Sequence, residues 1–247
     1  MPIEPLLLIA TVFTLAGFVK GVIGLGLPTI AMGLLAVIMP PVEAAALLIV
    51  PSLATNVWQM LGGPALGRIA GRLWPVMLGV CGGTLAGAGL MTGANARAAT
   101  IALGLALVAY AWTGLAAIRM RVAAAREWWL GPIIGAATGM LTAATGVFAI
   151  PAVPYLQGIG LDKEDLVQAL GLSFTVSTLA LGAVLAATAS LTSVSMGQTL
   201  VALAMAVAGM GIGQAVRLRL DPATFRRWFF GGLLLLGLYI AARALLA

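Results

Sequence analysis

Lys20 is the residue whose position most needs a chemical explanation. It stands in "GFVKGVIGLGLPT", Gly17 to Thr29, inside an apolar run from Leu6 to Met39 that holds no other charge. An ionisable side chain at membrane depth is costly and marks a substrate or ion site by default. Gly21, Gly24 and Gly26 would permit a tight reversal after it, and Pro28 can open a returning arm because a first-turn N–H needs no helical partner. That arm, with Thr29 in its first turn, would turn free N–H groups and a positive dipole end towards the break. A cation beside a helix N-terminus suits an anion.

A second stretch, "GAATGMLTAATGVFAIP" from Gly135 to Pro151, offers Thr142, Thr145 and Gly146 at a comparable break. Further along, "PSLATNVWQ" places Ser52, Thr55, Asn56 and Gln59 on one helical face. "SFTVSTL" supplies Ser173, Thr175, Ser177 and Thr178. Hydroxyl and amide groups can bind oxyanion oxygens without an opposing full charge. The candidate substrate-binding set is thus Lys20, Gly24, Gly26, Pro28, Thr29, Ser52, Thr55, Asn56, Gln59, Thr142, Thr145, Gly146, Thr175, Ser177 and Thr178. Structural roles compete with each: a lysine can snorkel, glycine pairs can let helices pack closely, and a membrane Ser or Thr can bond its own backbone. For Gly79–Gly83–Gly87 and Gly209–Gly213 packing is the preferred role.

The elements that must position these groups follow from composition. The 247 residues are 62% hydrophobic and 8% charged, with mean hydropathy +1.13. That is an integral membrane chain, and its long continuous runs are helices rather than the short alternating strands of a barrel. The opening "MPIEP" has no basic n-region, so no cleaved signal peptide is expected. After the opening run, apolar segments cover approximately 42–62, 73–92, 98–118, 128–157, 165–189, 194–215 and 228–246. The first segment and 128–157 are too long for one plain span, and both are broken by Gly and Pro.

Laid over each other with a shift of 118, Gly17 meets Gly135 and Gly21 meets Gly139. Later, "SLATN" (Ser52–Asn56) meets "TVSTL" (Thr175–Leu179). The expected fold is all-α and integral to the membrane, with two inverted repeats, 1–122 and 123–247. Each repeat would be a broken, re-entrant hairpin, 5–39 or 128–157, followed by three transmembrane helices. Loop charge agrees. If 128–157 enters and leaves on one side, Arg68, Arg72, Arg119, Arg121, Arg126, Lys163, Arg217, Arg219, Arg226 and Arg227 share a face, with only Arg97 and Arg243 opposite. The positive-inside rule then makes the arginine-rich loops cytoplasmic, in an inner cell membrane. Trp74, Trp128, Trp129 and Trp228 lie just inside that face. The hairpins would enter from opposite faces and meet near the midplane.

In "GFVKGVIGLGLP", "EAAALLIVPSLATNVWQ" and "GAATGMLTAATGVFAIP" the chain resembles the TauE/SafE family of membrane permeases, the sulfite exporters. Its pattern is a glycine-rich break in each half, followed by an apolar run ending in proline. Here Leu27 and Pro28, and then Thr142, Ala144 and Thr145, stand where the pattern has consecutive glycines, and Gly33 replaces the first-half proline. The resemblance covers nearly the whole chain and implies anion export.

The function expected is a secondary transporter moving a small sulfur-containing anion, of sulfite or organosulfonate type, outward by alternating access between the two hairpins. An anion channel is the alternative. A membrane enzyme is disfavoured: there is no histidine, Cys81 is the single cysteine, and the acids sit at ends and in loops. No cofactor, no metal and no nucleic acid is expected. The partners are the anionic substrate and the lipid bilayer, and a homodimer is left open.

Overall fold

Inside hydrocarbon an unpaired backbone N–H finds no water, so each apolar run closes its own hydrogen bonds as a helix. In the computed structural model of the chain, residues 3–116, 121–188 and 190–246 are described, and they contain helices and no strand. The first segment forms α1 (Ile3–Ile23) and α2 (Leu27–Leu35). Three helices follow: α3 (Pro41–Leu61), α4 (Leu66–Ala86) and α5 (Ala96–Leu115). The second broken segment is α6 (Ala124–Thr145) and α7 (Ala152–Gly158). Then come α8 (Lys163–Ala187), α9 (Met196–Val216) and α10 (Pro222–Leu246). Seven of these, α1, α3, α4, α5, α8, α9 and α10, are long and apolar enough to cross a membrane.

The starts of α4 and α10 come earlier than the hydropathy reading for a physical reason. Helix α4 starts at Leu66 rather than near 73, because Arg68 and Arg72 are carried inside it by ion pairs to Asp165 and Glu127. Helix α10 starts six residues early, because Asp221 accepts the Thr224 N–H at 2.9 Å and caps the turn that begins with Pro222. The breaks fall within the two stretches named for them, at their later glycines. Gly17 and Gly21 lie within α1, and Gly135 and Gly139 within α6. The first reversal is made by Gly24 and Gly26, at φ +77° and +106°, without Gly21. The second starts at Gly146, at φ +70°. In the two breaks these three take the left-handed conformation, while Gly17, Gly21, Gly135 and Gly139 serve contact.

That contact organises the fold. Helix α1 packs along α9, α6 along α4, α3 against α8, and α5 against α10. A Cβ on Gly17 would stand 2.2 Å from the Ala206 carbonyl oxygen, and one on Gly213 would stand 2.2 Å from that of Phe18. In the other pair, Gly139 would meet the Val80 oxygen at 2.2 Å and Gly83 the Ala136 oxygen at 2.1 Å. Both glycine pairs are packing surfaces, and so are the Gly79–Gly83 and Gly209–Gly213 rows that face them. Exchanging α1–α5 for α6–α10 in order leaves these four pairings unchanged, which is compatible with two repeats.

Hydrogen bonds place the ends. The Val122 N–H donates to the Gly158 carbonyl at 2.9 Å, and Arg72 bonds both Glu127 and the Ile159 carbonyl. The start of α6 and the end of α7 therefore lie together, at the end that also carries Arg68 and Asp165. At the far end of α5, Arg97 donates to the Ala244 carbonyl and Arg243 to that of Val37. Helix α1 runs parallel to α9, so it begins at that far end, where the turn after α2 also lies. The two broken segments enter from opposite ends. Trp74, Trp128, Trp129 and Trp228 are exposed on the outer surface, as lipid-facing aromatic anchors would be. Arg119 lies outside the described residues.

Candidate functional site

Lys20 lies on the last full turn of α1, one turn before Gly24, and only 3% of it is exposed. Its ammonium donates to the Thr55 hydroxyl at 3.1 Å and to the Asn56 side-chain carbonyl. An ammonium only donates, so the Asn56 oxygen must face it and the amide nitrogen must point away. That nitrogen donates to the Thr178 hydroxyl at 3.1 Å, which in turn donates to the Phe174 carbonyl at 2.7 Å. The result is a relay with every donor aimed the same way, from a charge on α1 through α3 into α8. Lys20 meets no carboxylate. The ion pairs of the described residues are Arg68–Asp165 and Arg72–Glu127, and neither involves it.

Gln59, one turn beyond Asn56, closes the site on the break side. Its amide donates to the Gly24 carbonyl at 3.2 Å and to that of Val167 at 2.9 Å. It thereby ties the positive-φ turn to α8. The predicted face of α3 is realised: Ser52, Thr55 and Asn56 are all buried. Ser52, Ser173 and Ser177 are fully buried, and their hydroxyls have no hydrogen-bond partner among the described residues. Thr175 bonds back to the Gly171 carbonyl at 2.7 Å.

The remaining predicted residues divide between two places. Gly26 is the left-handed N-cap of α2, Pro28 lies in its first turn, and the Thr29 hydroxyl bonds the Gly26 carbonyl at 2.9 Å. Thr142 and Thr145 bond carbonyls of their own helix, Thr138 and Leu141, and no hydrogen bond joins them to the Lys20 cluster. Gly146 caps α6, and a Cβ there would meet Met32 of α2 at 2.8 Å. The second break thus touches the side of the first hairpin's returning arm. The first break lies beside Gln59, so the two do not meet tip to tip.

A cavity of about 550 Å³ reaches Lys20 from the end that carries Lys163 and Arg217. Gly24, Gln59, Gln168 and Gln214 are also in its wall, with Glu164 as the one acid there. Three cations against one carboxylate make it electropositive. Gln168 was not among the residues singled out from the sequence. It donates to the Met60 and Gly63 carbonyls, at 2.8 and 2.6 Å, and accepts from the Ala65 N–H at 3.0 Å. It holds the end of α3 and the start of α4 around the cavity mouth. Its spacing of seven from Thr175 and ten from Thr178, one face of α8, was the available signal.

A family model described as sulfite exporter TauE/SafE matches residues 9–240. The chain belongs to that family, and with it to membrane transporters. No curated protein matches it, and no solved structure does.

Proposed function

We propose that this chain is a secondary transporter that exports a small sulfur-containing oxyanion, with Lys20 as the charge that selects it. The observation behind this reading is the buried ammonium with only neutral partners, Thr55 and Asn56. A buried charge without a counter-ion is expensive, and an anion arriving through the cavity would supply one. The Thr55 hydroxyl would then turn to an oxyanion oxygen beside the ammonium, while Asn56, itself held by Thr178, keeps Lys20 in place. Sulfite or a small organosulfonate fits a site whose donors are one cation, an amide and hydroxyls.

In this reading residues 1–122 and 123–247 are the two repeats, and alternating access moves one hairpin against the other. The arginine-rich end faces the cytoplasm, so the cavity at Lys20 is the loading state. An inside-negative potential favours anion exit by about 2.3 kcal/mol per charge per 100 mV. Export along that gradient requires no nucleotide.

The test is flux in proteoliposomes with a panel of sulfite, sulfate and short sulfonates. Saturable uptake with counterflow is expected of a carrier; linear, non-saturating flux would identify a channel instead. Lys20→Met should remove binding and flux together while Lys20→Arg keeps part of both. Full transport by Lys20→Met would overturn the site.

A further inference from the structure

On the other side of the first break lies a larger cavity, of about 740 Å³, which the Lys20 site does not use. Ile23 stands in the walls of both cavities, so the turn after α1 divides them. Arg121 and Arg226 line this second space, and no acidic residue does. Neither arginine makes an ion pair among the described residues.

Deeper in, Tyr110 of α5 is 2% exposed, and its hydroxyl has no hydrogen-bond partner among the described residues. The ring is held edge-on to Phe230 at 5.2 Å between centroids, so the hydroxyl has a fixed position. A buried phenol normally finds a partner, and one left without is a donor awaiting an acceptor. Leu25, Val153 and Phe230 make much of the remaining wall apolar. Two guanidinium groups, a buried hydroxyl and apolar walls match an oxyanion that carries a hydrocarbon body.

We infer that this cavity is a second anion site, separate from Lys20, that takes an amphipathic organic oxyanion such as an alkylsulfonate. Arg121 and Arg226 bind the charged group, the Tyr110 hydroxyl donates to it, and the apolar wall covers the chain. The inference does not depend on Lys20 binding anything.

The test is calorimetric binding of 1-hexanesulfonate to the full chain in phosphatidylcholine nanodiscs. Arg121→Gln/Arg226→Gln changes exposed side chains, and should weaken binding by about tenfold or more. Tyr110→Phe keeps the ring and its contact with Phe230, and should weaken it about threefold. All of these measurements are made in the Lys20→Met background, so that an organosulfonate held at the first site adds nothing to the signal. Undiminished binding after the double-arginine change, or no binding at all in the Lys20→Met parent, would overturn the second site. Displacement of the probe by phosphatidylglycerol added to the nanodisc would also overturn it, by identifying a lipid headgroup as the occupant.

Discussion

Lys20 and Thr138 occupy the same address in the two broken segments, three residues after Gly17 and Gly135, yet they behave differently. Thr138 is fully buried and spends its hydroxyl on the Ile134 carbonyl of its own helix at 2.7 Å. Lys20 reaches across to α3. The partner helices differ in step. Asn56 is buried and takes the ammonium, while Leu179, its counterpart in "TVSTL", is about half exposed. The charge and the amide that tolerates it therefore occur together in one half and are both missing from the other. Thr55 and Thr178 correspond and do the same thing, each bonding the carbonyl four residues back. The shared residues build a scaffold, and the unshared pair adds chemistry to it.

The largest effect should come from breaking what the halves share. Gly83→Val and Gly213→Val each push a side chain into a backbone carbonyl, of Ala136 or Phe18, which cannot step aside. Overpacking costs about 1–3 kcal/mol where side chains can yield, and more is expected here. Both variants should lose the monodisperse peak on size-exclusion chromatography in detergent. Gly82→Ala and Gly211→Ala, with nothing within 4 Å, should keep it. A well-folded Gly213→Val beside a collapsed Gly83→Val would break the equivalence of the two packing surfaces.

Next in size is the side of the membrane, which tests the opposed entry of the two segments. Lys163 is exposed at the end of the second segment. With Cys81→Ala as background, a cysteine at 163 should resist an impermeant thiol reagent in intact cells and react after permeabilisation. Labelling from outside would place the arginine-rich end, and the Lys20 cavity with it, on the wrong face for loading an exported anion.

How much of this was legible beforehand depends on whether the signal was local. Long apolar runs locate helices, since each must satisfy its own backbone, and they located α3, α5, α8 and α9 to within a few residues. The broken segments also stood out. The first reversal was readable at Gly24, Gly26 and Pro28; which other glycines of the two stretches turn and which make contact was not, because glycine serves both and sequence does not separate the two. Within the two broken segments Gly24, Gly26 and Gly146 turn the chain; Gly17, Gly21, Gly135 and Gly139 face other helices. At the site, Lys20, Thr55, Asn56 and Gln59 were readable because a charge in hydrocarbon and an i, i+3, i+4, i+7 polar face are rare patterns. Gln168 was not, since its work is done on α3 and α4, more than a hundred residues away in sequence.

A finer test separates the two links of the relay. Asn56→Leu removes the acceptor of the ammonium and leaves Lys20 with Thr55 alone, a loss of about 1.5–3 kcal/mol for a hydrogen bond to a charged group. Sulfite affinity should fall by roughly ten- to a hundredfold in a proteoliposome binding assay, by the same arithmetic. Thr178→Val acts one link further away. Asn56 still accepts from Lys20, and only its amide nitrogen loses a partner, so the cost is that of a neutral bond, about 0.5–1.5 kcal/mol. That predicts a loss of about two- to tenfold, smaller than for Asn56→Leu. The double variant should cost little more than Asn56→Leu alone, because the second link acts through the first. Losses that simply add would mean that Thr178 touches the anion itself, and α8 would then join α3 as a direct wall of the site. Thr188→Val, at the far end of α8 where the hydroxyl bonds the Val184 carbonyl, should leave affinity unchanged. An equal loss there would trace the effect to the helix rather than to the relay.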